Sequence, residues 1–96
     1  MARTRPLRLT PEQTAAIARA LADPRRFAIF EQIAQCNGLA CSALTEHEAI
    51  SPATISHHLK ELAEAGLIES VREGRIMRLS VSRSVWDAYL KRLQNL

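Results

Sequence analysis

At 96 residues and a formal net charge of +3, the chain has the size of one domain and can bury roughly 60–70% of its unfolded surface. Its two cysteines exclude a disulfide-framed secreted miniprotein, and the lack of a signal peptide or an apolar run of 18 residues excludes a membrane-spanning helix, so a cytoplasmic protein is expected. Eleven of its thirteen cationic residues are arginine, a side chain whose planar fork suits phosphate and guanine and also ordinary ion pairs.

Residues 1–9 read as a basic N-terminal arm, in which Arg3, Arg5 and Arg8 touch phosphate or are simply solvated. Residues 10–96 form the folded domain. Thr10-Pro11-Glu12-Gln13 combines an N-cap, a proline at the first helical position and a capping-box glutamine. It opens a helix to about Ala22 with Ile17, Ala18 and Leu21 on one face. Asp23-Pro24 caps a second helix, striped by Phe27, Phe30, Ile33 and Ala34 and stopped by Asn37-Gly38. A third, short helix is expected over Leu39 to Glu48 with Cys41 and Leu44 inward, and Ile50 resumes the core.

The segment from Ser51 to Ile68 is the most informative. Ser51 suits an N-cap, Pro52 the first helical position and Gly66 a left-handed C′ position. Ile55, Leu59 and Leu62 make the buried stripe of this fourth helix, which leaves Ala53, Ser56, His57 and Lys60 on the opposite side. A face that is short, polar and cationic can lie against base edges and phosphates. His58 projects near the edge of the buried stripe and reads as a packed, hydrogen-bonded histidine rather than a base reader.

Beyond Gly66 the period changes. Leu67 to Arg72 and Arg75 to Val81 are rich in β-formers and flank Glu73-Gly74, which predicts a hairpin that must pack on the helices. A final helix, about Arg83 to Gln94, carries Val85, Trp86, Tyr89, Leu90 and Leu93. Ile17, Leu21, Trp86, Tyr89, Leu90 and Leu93 are the candidate dimer interface, because the apolar face of the last helix is broad for a terminal element. The alternative is that both terminal helices merely cover the monomer's own core. The predicted fold is mainly α with a small β-hairpin: four helices, two strands and a final helix, the order of a winged helix-turn-helix.

Three segments resemble the ArsR/SmtB family of bacterial repressors. Leu21-Ala22-Asp23-Pro24-Arg25-Arg26-Phe27 is similar to the family's "LADPxR", Ser51 to Ile68 to its "SxxTxSHHLKxLxxAGLI", and Arg72-Glu73-Gly74-Arg75 to its "REGR" wing turn. The resemblance implies a homodimer on a double-stranded DNA operator that an inducer releases. It implies DNA contacts at Pro52, Ala53, Thr54, Ser56 and His57 on the recognition helix, and at Arg72, Gly74 and Arg75 in the wing. Lys60 joins them from the face it shares.

The family's metal sites are not matched. The thiolate places of its "CVC" motif fall on Ala40 and Ser42, with Cys41 at the middle place, and the last helix has Asp87 but no histidine. Zinc or a soft ion needs several converging ligands, so no metal and no cofactor are expected. Cys36 and Cys41 leave two readings open: Cys41 as a small core hydrophobe beside Leu44 with Cys36 an ordinary helix-end residue, or a redox switch across the intervening glycine turn. The core reading is favoured.

Two rival functions are weighed. An enzyme lacks support, since no phosphate loop, HExxH or nucleophile elbow occurs. A winged-helix protein-interaction module without sequence-specific DNA binding is the stronger rival, and the basic wing residues Arg72, Arg75 and Arg78 argue against it.

Overall fold

The computed structural model describes residues 7–36, 38–46 and 51–96. Helix α1 (Pro11–Leu21) begins with the expected reciprocal cap: Thr10 Oγ1 accepts the Gln13 N–H at 3.0 Å while Gln13 Oε1 accepts the Thr10 N–H at 2.8 Å. Helix α2 (Pro24–Gln35) is capped by Asp23, whose Oδ1 accepts the N–H groups of Arg25 and Arg26 at 2.9 and 3.2 Å. The end of the proposed arm is not free, because Leu9 packs against the core; residues 1–6 lie outside the described residues.

The third helix predicted over Leu39 to Glu48 does not form. Gly38, at φ 81°, turns the chain so that its N–H donates to the Leu79 carbonyl at 3.0 Å. Leu39 and Ala40 then make a two-residue strand, β1 (Leu39–Ala40), and a 3₁₀ helix follows over Cys41–Glu46. Strand pairing takes the first two residues of the predicted helix, and the next six coil as a 3₁₀ segment, longer than such segments usually run. Four α-helices are therefore seen among the described residues where five helices were expected. The readings that rested on Asn37, His47, Glu48 and Ile50 fall outside the described residues.

Helix α3 (Pro52–Glu64) and the predicted hairpin, β2 (Ile68–Glu73) and β3 (Ile76–Val81), follow, and α4 (Arg83–Gln94) closes the chain. The two-residue turn is Gly74-Arg75 rather than Glu73-Gly74, because Glu73 stays in the ladder opposite Ile76. The sheet is antiparallel in the order β1-β3-β2, so β1 supplies the third strand that a bare hairpin lacks. At the end of α3 the Leu67 N–H bonds the Leu62 carbonyl and the Gly66 N–H bonds the Ala63 carbonyl, at 3.0 and 2.9 Å. That pair of bonds is the Schellman arrangement, and it requires the left-handed φ of 80° that Gly66 adopts.

Ile17, Ile29, Ile33, Leu44, Leu62 and Leu67 are fully buried where the helices meet the sheet. Two positions of the predicted stripes shift. Ala20 is buried while Ala18 is exposed, and Ile29 is buried while Phe27 stays 39% exposed. On α2 the centre of the stripe runs through Ile29, Phe30 and Ile33, which places Phe27 at its margin. Trp86 of α4 meets Phe30 with ring centroids 5.1 Å apart and lies 6.1 Å from Tyr89.

Candidate nucleic-acid interface

Helix α3 is set by its cap and its two faces. Ser51 Oγ accepts the Thr54 N–H at 3.1 Å and lies 2.9 Å from the Thr54 hydroxyl. One face, Ile55, His58 and Leu62, is buried, and Leu59 is half-buried beside it. The other presents Pro52, Ala53, Ser56, His57 and Lys60, all exposed, with Thr54 half-buried at the edge. The predicted polar face is therefore a continuous surface of short side chains at the N-terminal end with one cation a turn further on. Such a surface lets the helix backbone approach base edges closely.

The wing adds a second basic element. Gly74, at φ 61°, makes the turn, and Arg72, Gly74 and Arg75 are exposed there. Arg72 pairs opposite Met77 and so shares a face with Ser70 and Leu79, the face turned toward α3. Arg78 pairs opposite Val71 on the other face. Its Nε donates to Glu73 Oε1 at 3.0 Å and its Nη1 to the Gly38 carbonyl at 3.1 Å. Arg78, grouped with the basic wing on sequence, is thus a brace between the wing and the Gly38 turn. Sequence carries no signal for this bond, whose partners are 40 residues apart.

His58 is 4% exposed. Its Nδ1 accepts the Arg26 Nε–H at 3.2 Å, in agreement with the packed reading. Burial pushes its imidazole below the ordinary 6.5, assisted by the Arg26 charge and opposed by Asp23. The Asp23 carboxyl is held below 3.8, chiefly by the hydrogen bond from the Arg26 backbone. Arg26 was not singled out as a functional residue from sequence, because its partner is 32 residues away.

Cys36 is exposed at the end of α2, and Cys41 is half-buried against the core. Among the described residues, no group of three or more His, Cys, Asp or Glu is placed to hold a metal ion, and no helix is long and apolar enough to cross a membrane. Of the proposed dimer residues, Ile17 is fully buried and Tyr89 9% exposed, so both are already committed to the chain's own core. Leu21, Trp86 and Leu90 are half-buried, and Leu93 is 44% exposed.

A helix-turn-helix domain family matches residues 21–71, just over half of the chain. A Streptomyces lividans protein named "Probable mercury resistance operon repressor" is 35% identical over 71 residues, covering 74% of this chain and 56% of that protein. An ArsR-like transcriptional regulator from Rhodococcus sp. RHA1 superposes with a TM-score of 0.78 at 26% identity, covering 88% of this chain and 78% of that one. The solution structure of a homodimeric winged helix-turn-helix DNA-binding domain from Mycobacterium bovis gives a TM-score of 0.69 at 27% identity, covering 88% and 79%.

Proposed function

The chain belongs to the ArsR-like winged helix-turn-helix regulators of transcription, and we propose from that premise that it is a homodimeric repressor which binds a specific DNA operator and leaves it on a signal. The carrying observation is the pairing of two exposed surfaces. The small polar face of α3 is fixed from behind by Ile55, His58 and Leu62, and Arg72 and Arg75 stand beside it on a braced wing. In this reading Pro52, Ala53, Thr54, Ser56 and His57 meet base edges and sugar, while Lys60, Arg72, Gly74 and Arg75 meet phosphate or the adjacent groove.

Dimerisation through α1 and α4 is part of the same proposal. Only Tyr89 of α4 is buried, so Leu21, Trp86, Leu90 and Leu93 retain apolar surface for a second copy, whereas Ile17 and Tyr89 support that surface from beneath. The homodimeric Mycobacterium bovis relative favours this arrangement. Repression is carried over from the Streptomyces lividans relative. The redox reading of Cys36 and Cys41 stays a proposal of lower rank, because the packing of Cys41 against the core supports a structural role.

Selection of duplexes from a random-sequence pool tests the reading. Enrichment of a pseudo-palindrome with half-sites about 34 Å apart is expected, together with a steep loss of affinity as salt rises, since phosphate contacts release counterions. Recovery of no preferred sequence, with salt-insensitive binding to a protein partner, would favour a docking module instead. Repeating the binding measurement with diamide, zinc and arsenite asks whether any of these signals releases the DNA.

A further inference from the structure

The stripe that anchors α3 has a histidine at its centre. His58 sits between Ile55 and Leu62 and is as buried as its apolar neighbours. Its Nδ1 accepts from Arg26 Nε at 3.2 Å, which places the ring proton on Nε2. Nε2 is buried and has no hydrogen-bond partner among the described residues. A leucine would fill the stripe without orphaning an N–H; what the histidine adds is the bond that Nδ1 accepts. Through it, Arg26 joins three elements: Nη1 reaches the Ala20 carbonyl of α1 at 3.4 Å, the backbone N–H is held by Asp23 at the start of α2, and Nε grips α3.

We propose that Arg26 and neutral His58 are a positioning pair that sets the recognition helix against α1 and α2, and that protonation of His58 releases the helix from its DNA-binding orientation. The inference rests on the DNA-binding reading above and adds a proton as a signal to which that site responds. The Arg26 bond requires a lone pair on Nδ1. A proton there sets an N–H against an N–H and brings two cations to 3.2 Å where the His58 ring is itself only 4% exposed.

The charged groups facing His58 among the described residues are Asp23, Arg25 and Arg26 from the start of α2 and His57 from its own helix. Only Asp23 favours the charged imidazole. Its Oδ1 is engaged by the Arg25 and Arg26 N–H groups, and it remains ionised throughout the range in which histidine titrates. Because the folded-state pKa of His58 lies below 6.5, the unfolded chain binds the proton first as pH falls. The pair's contribution is complete above about 6.5 and is lost as pH descends through the folded value. His57 is exposed on the DNA side of α3, with its ring centroid 5.9 Å from that of His58.

The test uses the full chain and the duplex selected above, with random duplex as the reference for non-specific binding and every profile repeated on His57→Ala, so that the histidine on the DNA face does not contribute. Long-range proton–nitrogen correlation spectra of histidine-labelled protein at pH 7.5 should show His58 neutral and protonated at Nε2. Between pH 7.5 and 5 the wild type should lose affinity for the selected duplex, relative to random duplex, with a slope approaching the limit for two linked protons per dimer, about a hundredfold per pH unit. His58→Asn keeps an acceptor where Nδ1 stands and cannot be protonated, so its ratio should stay flat. If that variant does not fold, Arg26→Gln removes the neighbouring charge and should move the His58 titration, and the onset of the loss, to higher pH. A proton on Nδ1, a midpoint at 6.5 or above in the wild type, or parallel pH profiles for wild type and variants would overturn the proposal. Absence of selective DNA binding at pH 7.5, with the spectra as expected, would instead refute the DNA-binding reading and leave the pair as a purely structural contact.

Discussion

Ser56, His57 and Arg75 are all exposed yet should fail differently when truncated. Ser56 and His57 project from the face of α3, where a lost base contact removes discrimination. Ser56→Ala and His57→Ala are each expected to cost about 1–3 kcal/mol on the selected duplex and far less on random DNA. Arg75 stands at the wing turn, so Arg75→Ala should weaken both and reduce the salt slope by about one phosphate contact. Titrations at several salt concentrations check this, and equal losses on both duplexes for His57→Ala would remove it from the readers. The cysteines allow a similar contrast. Cys41 packs beside the core and Cys36 is exposed. Cys41→Ser should therefore lower the melting temperature, because its hydroxyl is drawn from water into apolar surroundings, while Cys36→Ser leaves it unchanged. A reversed order, or abolition of an oxidant response by either variant alone, would favour the switch.

The recognition helix and the wing are held by different devices, and each can be broken separately. The end of α3 depends on the left-handed Gly66, where a Cβ would meet only the Val85 methyl groups at 3.9 Å. The strain of Gly66→Ala is thus in the backbone rather than in packing, about 1–2 kcal/mol by the ordinary cost of that conformation, and denaturant titration measures it. The wing is fastened through Arg78, which links Glu73 to the Gly38 carbonyl while β1 pairs with β3. Arg78→Ala should speed amide exchange in the wing and weaken DNA binding without lowering the salt slope, since no phosphate contact is removed. A fall in slope equal to that of Arg75→Ala would show that Arg78 also meets phosphate.

Assembly depends on what α4 leaves uncovered. One of its twelve residues is buried, and Leu93, 44% exposed, lies on the same side as Trp86 and Leu90. Leu93→Glu should shift sedimentation toward monomer and weaken operator binding indirectly, because two half-sites are read together only by a dimer. Monomer alone at micromolar concentration in the wild type would end the dimer proposal, whatever the DNA result.

The elements whose formation depends on neighbours in the chain were legible from the sequence. Caps at Thr10, Asp23 and Ser51, the glycine stop at Gly66 and the change of period after it are local, since each is a bond or a steric rule acting within about five residues. They fixed α1, α2, α3, the hairpin and α4 and, with the exposed side of α3 and the arginines of the wing turn, most of the candidate interface. What lay between α2 and α3 was not local: residues 39 and 40 became a strand because β3 offered them a partner at Leu79 and Arg78. Tertiary contact likewise decided that Ile29 rather than Phe27 enters the core, that Arg78 braces rather than binds, and that Arg26 grips His58. Each of these turns on a group 32 to 40 residues away in the chain or on the rotation of a helix against its neighbours. Hydrophobic spacing identifies the face a helix buries, but the partner that completes a hydrogen bond exists only once the chain has folded.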